Sequence, residues 1–168
     1  MQDFELKTER LLARVAVLLT DRNWRMATAE SCTGGWIAKC CTDRVGSSAW
    51  FDRGYVAYSY RAKEQMLGVS HDELLKFGAV SEEIASQMAL GAKKHSGVAV
   101  TVSATGIAGP GGGMEGKPVG LVHFGWCIDK QSVSCDAEIF EGDRESVRQQ
   151  TVIHALEGII LRMESLRK

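Results

Sequence analysis

The sequence predicts an α/β fold, namely a single three-layer domain in which helices flank both faces of a mixed β-sheet. Predicted strands alternate with predicted helices along the chain, which is the pattern of α/β domains. The segment 98–103 is nearly all apolar and rich in β-branched residues, as expected for a strand buried on both faces. Hydrophobic residues make up 45% of the 168 residues and no linker divides them, so we expect one domain over residues 1–168.

Hydrophobic periodicity and helix-capping residues predict the individual elements. Val15, Leu18 and Leu19 lie on one stripe of the first helix, Gly68 ends a short helix, and Ser81 has the position of an N-cap. In chain order, these patterns predict a helix at 3–21, a strand at 25–29, a helix at 36–42, a strand at 55–58, a helix at 61–67, a helix from 81 to about 95, the strand at 98–103, strands at 119–128 and 132–140, and a helix from 143 to about 166.

Charge and composition exclude several classes of protein. Lys and Arg total 20 against 21 for Asp and Glu, which argues against a broad nucleic-acid surface. No apolar run approaches the roughly 18 residues of a membrane span, and residues 1–5 do not open a signal peptide. The five cysteines form no C-x-x-C pair, which indicates free thiols in a reducing cytoplasm. We therefore expect a cytoplasmic protein that binds neither nucleic acid nor membranes.

Several familiar catalytic motifs are incomplete. Residues 111–117 match the G-x-x-x-x-G-K of a phosphate-binding loop, but Pro118 stands where that motif needs Ser or Thr, and a predicted strand follows instead of a helix. The four histidines have no recognisable catalytic setting, and the acidic residues lack metal-ligand spacing. We expect no nucleoside triphosphate hydrolysis, no Ser-His-Asp triad and no bound metal.

Residues 28–35, TAESCTGG, place a serine at a turn between a strand and a helix. Ser31 is a candidate nucleophile, because backbone N–H groups at a helix start can stabilise negative charge. Without a suitable histidine, the candidate base is Lys63 in the first turn of a short helix, with Tyr58 nearby to relay a proton or orient the amine. Three alternatives stay open: a capping role for Ser31 or Thr33, a solvated Lys63, and Cys32 as a rival nucleophile.

A third segment, 103–110, leads from the buried strand into a glycine-rich loop. Backbone amides in such a loop can form a nest that holds a phosphate or a carboxylate. Ligands of α/β sheets bind beyond the carboxyl ends of strands, so we expect this segment to meet segments 29–35 and 55–63. The candidate cations for such an anion are Lys117, Arg144 and Arg148. For the two arginines, the alternative is an ordinary position on a helix surface.

Six motifs occur in a specific order along the chain. They are TAESCTGG at 28–35, GSSAWF at 46–51, GAVSE at 78–82, TGIAGP at 105–110, KPVG at 117–120 and GDR at 142–144. Together they resemble the C-terminal domain of the CinA (competence/damage-inducible protein A) family, and above all its stand-alone bacterial members, the nicotinamide mononucleotide deamidases. The resemblance implies an amidohydrolase that converts nicotinamide mononucleotide and water to nicotinate mononucleotide and ammonia.

The resemblance also implies roles for individual residues. The family is understood to use a Ser/Lys dyad without a metal or other cofactor, which makes Ser31 the nucleophile, Lys63 the base and Tyr58 an assisting proton-transfer group. It further implies that the protein forms a homodimer and that its ligand is a small nucleotide substrate. We infer in addition that backbone amides near 32–34 are oxyanion donors, and that the glycine loop and an arginine hold the phosphate. The substrate-binding residues are then Cys32, Thr33, Gly34, Thr105, Gly106, Gly109 and Arg144.

One residue departs from the family pattern. Deamidases of this family usually read Tyr-Ser-Asn at the strand end, whereas this chain reads Tyr58-Ser59-Tyr60. A phenol replaces an amide beside the predicted base. If the amide's hydrogen bond is lost in a buried site, the cost is about 1–3 kcal/mol. The alternatives to an active deamidase are a catalytically silent nucleotide-binding or regulatory paralogue, and a hydrolase that acts on another amide.

Overall fold

Five strands form one mixed sheet in the computed structural model of the chain, which describes residues 2–166. The strands are β1 (Met26–Glu30), β2 (Phe51–Val56), β3 (Val100–Gly106), β4 (Leu121–Ile128) and β5 (Ser134–Ile139), in the spatial order β2-β1-β3-β4-β5. β1 runs parallel to β2 and β3, whereas β4 runs antiparallel to β3 and β5. The prediction of a mixed sheet is confirmed.

Six α-helices surround the sheet within the described residues. They are α1 (Gln2–Thr20), α2 (Trp36–Asp43), α3 (Tyr60–Leu67), α4 (His71–Phe77), α5 (Glu82–Ser96) and α6 (Arg144–Ser165). Ser59, Ser81 and Asp143 act as side-chain N-caps of α3, α5 and α6, each accepting a hydrogen bond from a backbone N–H three residues later. None of the described helices is long and apolar enough to cross a membrane.

The helices form the two outer layers of a three-layer domain. α5 packs against one face of the sheet with α3 and α4 beside it, and α2 and α6 pack against the other face beneath α1. Each face has its own apolar cluster: Leu74, Ile84 and Met88 lie in one, and Phe124 and Trp126 lie in the other. The three-layer prediction is therefore confirmed, and burial on both faces explains why β3 is nearly all apolar.

The structure differs from the sequence expectation around β2. This strand begins at Phe51 rather than at position 55 and ends at Val56, so Tyr58 follows the strand instead of ending it. β2 lies at the edge of the sheet and exposes Arg53 and Gly54, which breaks the apolar pattern that marks a buried strand. Helix α4 was not expected as a separate element, because only Leu74 among its seven residues is buried.

Gly91 lets α5 approach the end of α3 closely. A Cβ at this position would lie 2.0 Å from the backbone oxygen of Leu67, the last residue of α3. We expect Gly91→Ala to force the helices apart and to lower the free energy of unfolding by about 1–3 kcal/mol. Urea denaturation measures the change, with Gly111→Ala as the control because a Cβ there meets no atom within 4 Å. Equal stability of both variants would contradict a tight α3–α5 contact.

Candidate active site

The turn after β1 presents Ser31 at the carboxyl end of the parallel strands. The Ser31 N–H donates to the backbone oxygen of Ala104 in β3 at 3.0 Å, and the residue is only 7% exposed. Gly34 and Gly35 follow with left-handed φ values of 62° and 95°, which glycine adopts without strain. Gly35 is the N-cap residue of α2 and no side chain caps that helix from the N-cap position, so an N-cap role for Ser31 or Thr33 is wrong.

Glu30, the last residue of β1, was not singled out by the sequence and organises this turn. Its carboxylate is fully buried and accepts four hydrogen bonds of 2.7–3.0 Å. The donors are the hydroxyls of Thr28 and Thr33 and the backbone N–H groups of Ile37 and Ala38. The protein's own carboxylate therefore occupies the first turn of α2, and these amides are not free to bind a ligand anion.

Lys63 reaches the Ser31 hydroxyl from the first turn of α3. Its side chain is fully buried, and Nζ lies 2.9 Å from Ser31 Oγ. Nζ also donates to the backbone oxygens of Ala57 at 2.9 Å and Tyr58 at 3.2 Å, both in the β2–α3 connection. In the neutral amine, these two carbonyls can hold the N–H groups while the lone pair accepts the Ser31 O–H. The alternative of a solvated lysine is wrong.

The environment of Lys63 favours the neutral amine. Burial lowers its pKa from 10.5 to about 8, although the nearby Cys32 acts in the opposite direction. About a tenth of the molecules therefore carry a neutral Lys63 at pH 7, enough for a general base that works near its own pKa. The cause of the lowered pKa of Lys63 is desolvation.

Cys32 does not have the properties of a nucleophile. Its thiol is buried, and burial raises the pKa to about 12 although Lys63 and Arg148 act in the opposite direction. The thiolate is therefore negligible at neutral pH, and the alternative of a cysteine nucleophile is not favoured.

A cleft of about 180 Å³ opens beside the Ser31–Lys63 pair. Tyr58 and Arg144 lie at its edge: Tyr58 is 64% exposed, and its hydroxyl lies 3.5 Å from Arg144 Nη2. Arg144 Nη1 donates to the backbone oxygen of Gly109 at 2.9 Å. The backbone oxygen of Tyr58 accepts from Lys63 while its phenol faces Arg144, so its predicted part in proton transfer stays a prediction. The other lining residues are Cys32, Ala79, Val80, Thr105, Gly106 and Ala108.

The structure brings some predicted binding residues to this cleft and places others elsewhere. Thr105 and Gly106 line it, but the Thr105 hydroxyl donates to the backbone oxygen of Ala79 at 2.8 Å. Thr33 and Gly34 instead line a larger groove between α1, α2 and α6. The Gly34 N–H donates to the Ser31 backbone oxygen at 3.1 Å, which corrects its assignment as a free oxyanion donor.

Two of the candidate cations donate to backbone oxygens and do not line the cleft. Lys117 Nζ donates to the backbone oxygen of Phe77. Arg148 donates to the backbone oxygens of Cys32 and Thr33 from the side of the larger groove. Arg144 is thus the predicted cation that lines the cleft.

Comparison with known proteins supplies the family. The family model described as the CinA C-terminal domain matches residues 8–163. The chain belongs to the CinA C-terminal domain family. It is 48% identical over 159 residues to nicotinamide-nucleotide amidohydrolase PncC of Escherichia coli K12, covering 95% of each chain. It is 46% identical over 150 residues to the Pseudomonas putida protein of the same name, covering 89% of this chain and 93% of that one.

Solved structures of the CinA superfamily share the fold. A protein from Klebsiella pneumoniae matches with a TM-score of 0.90 at 35% identity, covering 94% of this chain and 98% of that one. A competence/damage-inducible protein from Agrobacterium tumefaciens matches with a TM-score of 0.86 at 43% identity, covering 95% and 94% of the two chains. The α/β architecture of this CinA domain is therefore that of its family.

Tyr60, the departure from the family pattern, makes its hydrogen bond to the loop after α4 in this CinA domain. It is the first residue of α3, and its hydroxyl accepts a hydrogen bond of 3.3 Å from the Ala79 N–H. Tyr60 is not among the residues that line the cleft, whereas Ala79 is. The phenol therefore ties α3 to the loop that forms one wall of the cleft.

Three side chains of this CinA domain that could ligate a metal lie together, although the sequence did not predict such a group. Asp136 and Glu138 on β5 and His154 on α6 place their ligand atoms within 4.8 Å of one another, the only such group within residues 2–166. Both carboxylates are exposed, and His154 Nε2 lies 3.1 Å from Asp136 Oδ2, as in an ordinary hydrogen bond. None of the three lines the Ser31 cleft.

Proposed function

We propose that the protein is an amidohydrolase that converts nicotinamide mononucleotide and water to nicotinate mononucleotide and ammonia. The observation that carries the proposal is the buried contact of 2.9 Å between Lys63 Nζ and Ser31 Oγ at the cleft. The substrate is suggested by relatives at 46–48% identity that are named nicotinamide-nucleotide amidohydrolase.

The proposed mechanism assigns the proton transfers to Lys63. The neutral amine takes the Ser31 proton while Oγ attacks the carboxamide carbon, giving a tetrahedral intermediate with a negative oxygen. The Lys63 ammonium then protonates the leaving nitrogen, and ammonia departs as an acyl ester forms on Ser31. A water molecule, deprotonated by Lys63, attacks this ester and releases the carboxylate product and the serine. No step of this scheme calls for a metal or a cofactor.

The cleft suggests how the mononucleotide binds. The cleft volume of about 180 Å³ is below the usual range for pockets that hold a whole ligand, roughly 300–1,000 Å³. We therefore place only the nicotinamide ring inside the cleft. The ribose phosphate then extends past Tyr58 toward Arg144, whose guanidinium suits a phosphate. Gly106, which lines the cleft, lets the end of β3 lie close to β4, because a Cβ there would lie 2.6 Å from the Val122 side chain.

The alternative of a catalytically silent paralogue is not favoured. It rested on Tyr60, whose hydroxyl bonds the Ala79 N–H and leaves Lys63 in contact with Ser31. Cytoplasmic location and a homodimer stay predictions, which fractionation and light scattering test directly.

An ammonia-release assay on the purified protein with nicotinamide mononucleotide tests the proposed function. We expect turnover by the wild type and a loss of about 10³-fold or more in Ser31→Ala. Ser48→Ala, at an exposed serine in the turn Ser47–Ala49, is the matched control and keeps the wild-type rate. No ammonia from the wild type, or full activity of Ser31→Ala, would refute the proposal.

A further inference from the structure

The connection between α4 and α5 forms one side of the Ser31 cleft. We call its first three residues, 78–80, the wall segment, because Ala79 and Val80 line the cleft. α4 ends at Phe77 and α5 begins at Glu82, so no helix or strand includes the wall segment. The position of this segment therefore depends on hydrogen bonds from other parts of the chain.

Three side chains hold the carbonyl groups in and next to the wall segment. The Thr105 hydroxyl on β3 donates to the Ala79 backbone oxygen at 2.8 Å. The Ser81 hydroxyl donates to the Gly78 backbone oxygen at 2.9 Å. Lys117 Nζ donates to the last backbone oxygen of α4. Donors from three different parts of the chain thus bind three consecutive carbonyls.

Tyr60 binds the wall segment through an N–H group instead. The Ala79 N–H donates to the Tyr60 hydroxyl at 3.3 Å. Tyr60 is the first residue of α3, and Lys63 lies in the same first turn. Ala79 is therefore held through its N–H by α3 and through its oxygen by β3. The phenol connects the helix that carries the proposed base to the opposite side of the cleft.

We propose that Tyr60 is a positioning residue that sets the width of the cleft for an aromatic amide ring, because it holds Ala79 at a fixed distance from α3. The inference rests on the proposed function, which places the ring in this cleft, and deepens it. Lys63 is bound to the backbone oxygens of Ala57 and Tyr58, so its contact with the serine does not depend on the phenol.

This role predicts an effect on binding rather than on the chemical step. The ring contacts the wall segment both in the bound substrate and in the transition state. An interaction of equal strength in both states lowers KM and leaves kcat unchanged. A displaced wall segment therefore weakens ring binding, whereas the proton transfers between Lys63 and Ser31 continue at the same rate.

Steady-state kinetics of two variants that each lose one hydroxyl test the proposal. Tyr60→Phe removes the acceptor of the Ala79 N–H, and we expect KM to rise about 3- to 10-fold while kcat stays within about twofold of the wild type. Thr105→Val removes the bond to the Ala79 oxygen at nearly the same shape and is expected to raise KM as well. Tyr55→Phe, on β2 and outside the cleft lining, is the matched control and keeps both constants.

Protection of Ser31 by small aromatic amides measures ring binding directly. A fluorophosphonate forms a phosphorus–oxygen bond to the serine Oγ and releases fluoride, while Lys63 takes the proton. We expect nicotinamide and benzamide to slow this labelling, as followed by mass spectrometry. Tyr60→Phe should be labelled at the wild-type rate without amide, and it should need about 3- to 10-fold more amide for the same protection.

The possible outcomes separate this proposal from the choice of substrate. Equal protection of Tyr60→Phe and the wild type, or a lowered kcat with unchanged KM, would refute the positioning role. A wild type that neither amide protects would refute it too, because no ring would then contact the wall segment. Weaker protection of Tyr60→Phe, in a protein that releases no ammonia from nicotinamide mononucleotide, would refute only the proposed substrate.

Discussion

Lys63→Met is expected to lower kcat for ammonia release by about 10³-fold or more while the fold is retained. Methionine matches the apolar stem of lysine and fits a fully buried site, but it offers no nitrogen to accept the Ser31 proton. Lys94→Met, at an exposed position of α5, is the control and keeps the wild-type rate. If Lys63→Met kept more than a tenth of wild-type kcat, another base would be required.

The pH dependence of the wild type follows from the same amine. Lys63 must be neutral to act as a base and its pKa is lowered to about 8, so kcat/KM rises with pH below that value and levels off above it. We expect the value at pH 7 to be about a tenth of the plateau. A profile that stays flat between pH 6 and pH 9 would contradict a lysine base.

The protonation of Lys63 also makes the free energy of unfolding depend on pH. The unfolded chain holds the lysine proton up to about pH 10.5, whereas the folded chain releases it near pH 8. Between these values the unfolded state binds more protons, so Lys63 makes stability rise with pH, by about 3 kcal/mol across the window. Other groups titrate in the same window, but their effects cancel when Lys63→Met is compared with the wild type by urea denaturation.

The sequence was sufficient to select Ser31 and Lys63 as a candidate pair, because a possible nucleophile and a possible base are recognisable by residue type. A serine at a glycine-rich strand-to-helix turn and a lysine at the start of the next helix are recognisable locally. The sheet order then brings Ser31 and Lys63 together, since parallel β1 and β2 end at the same edge. The fold class was predictable for the same reason, because alternating patterns are local signals.

The supporting residues could not be predicted, because their partners are distant or ordinary in sequence. Arg148 binds the turn across more than a hundred positions, and a helix-surface arginine looks the same in a one-dimensional pattern. Asp136 on β5 and His154 on α6 are 18 positions apart in sequence and meet only in the folded protein. Glu30 is different: an acid immediately before a nucleophile turn and a helix start is a local signal, and the capping preference for acids could have identified it.

Glu30→Ala is expected to lower the free energy of unfolding by about 3–5 kcal/mol. The carboxylate satisfies four donors in a site without access to solvent, and its removal leaves two backbone N–H groups and two hydroxyls without an acceptor. Glu115→Ala, in the exposed glycine-rich loop, is the control and should change stability by less than about 0.5 kcal/mol. Urea denaturation measures both.

Glu30→Gln tests the hydrogen bonds separately from packing, because it keeps the size of the side chain. One oxygen becomes an NH₂ group, which must face a backbone N–H or a threonine hydroxyl that could turn to accept. We therefore expect a loss between zero and that of Glu30→Ala, accompanied by a fall in kcat because the Ser31 turn shares these bonds. If Glu30→Ala were as stable as the wild type, the α2 amides would have another acceptor, and the turn would not depend on this carboxylate.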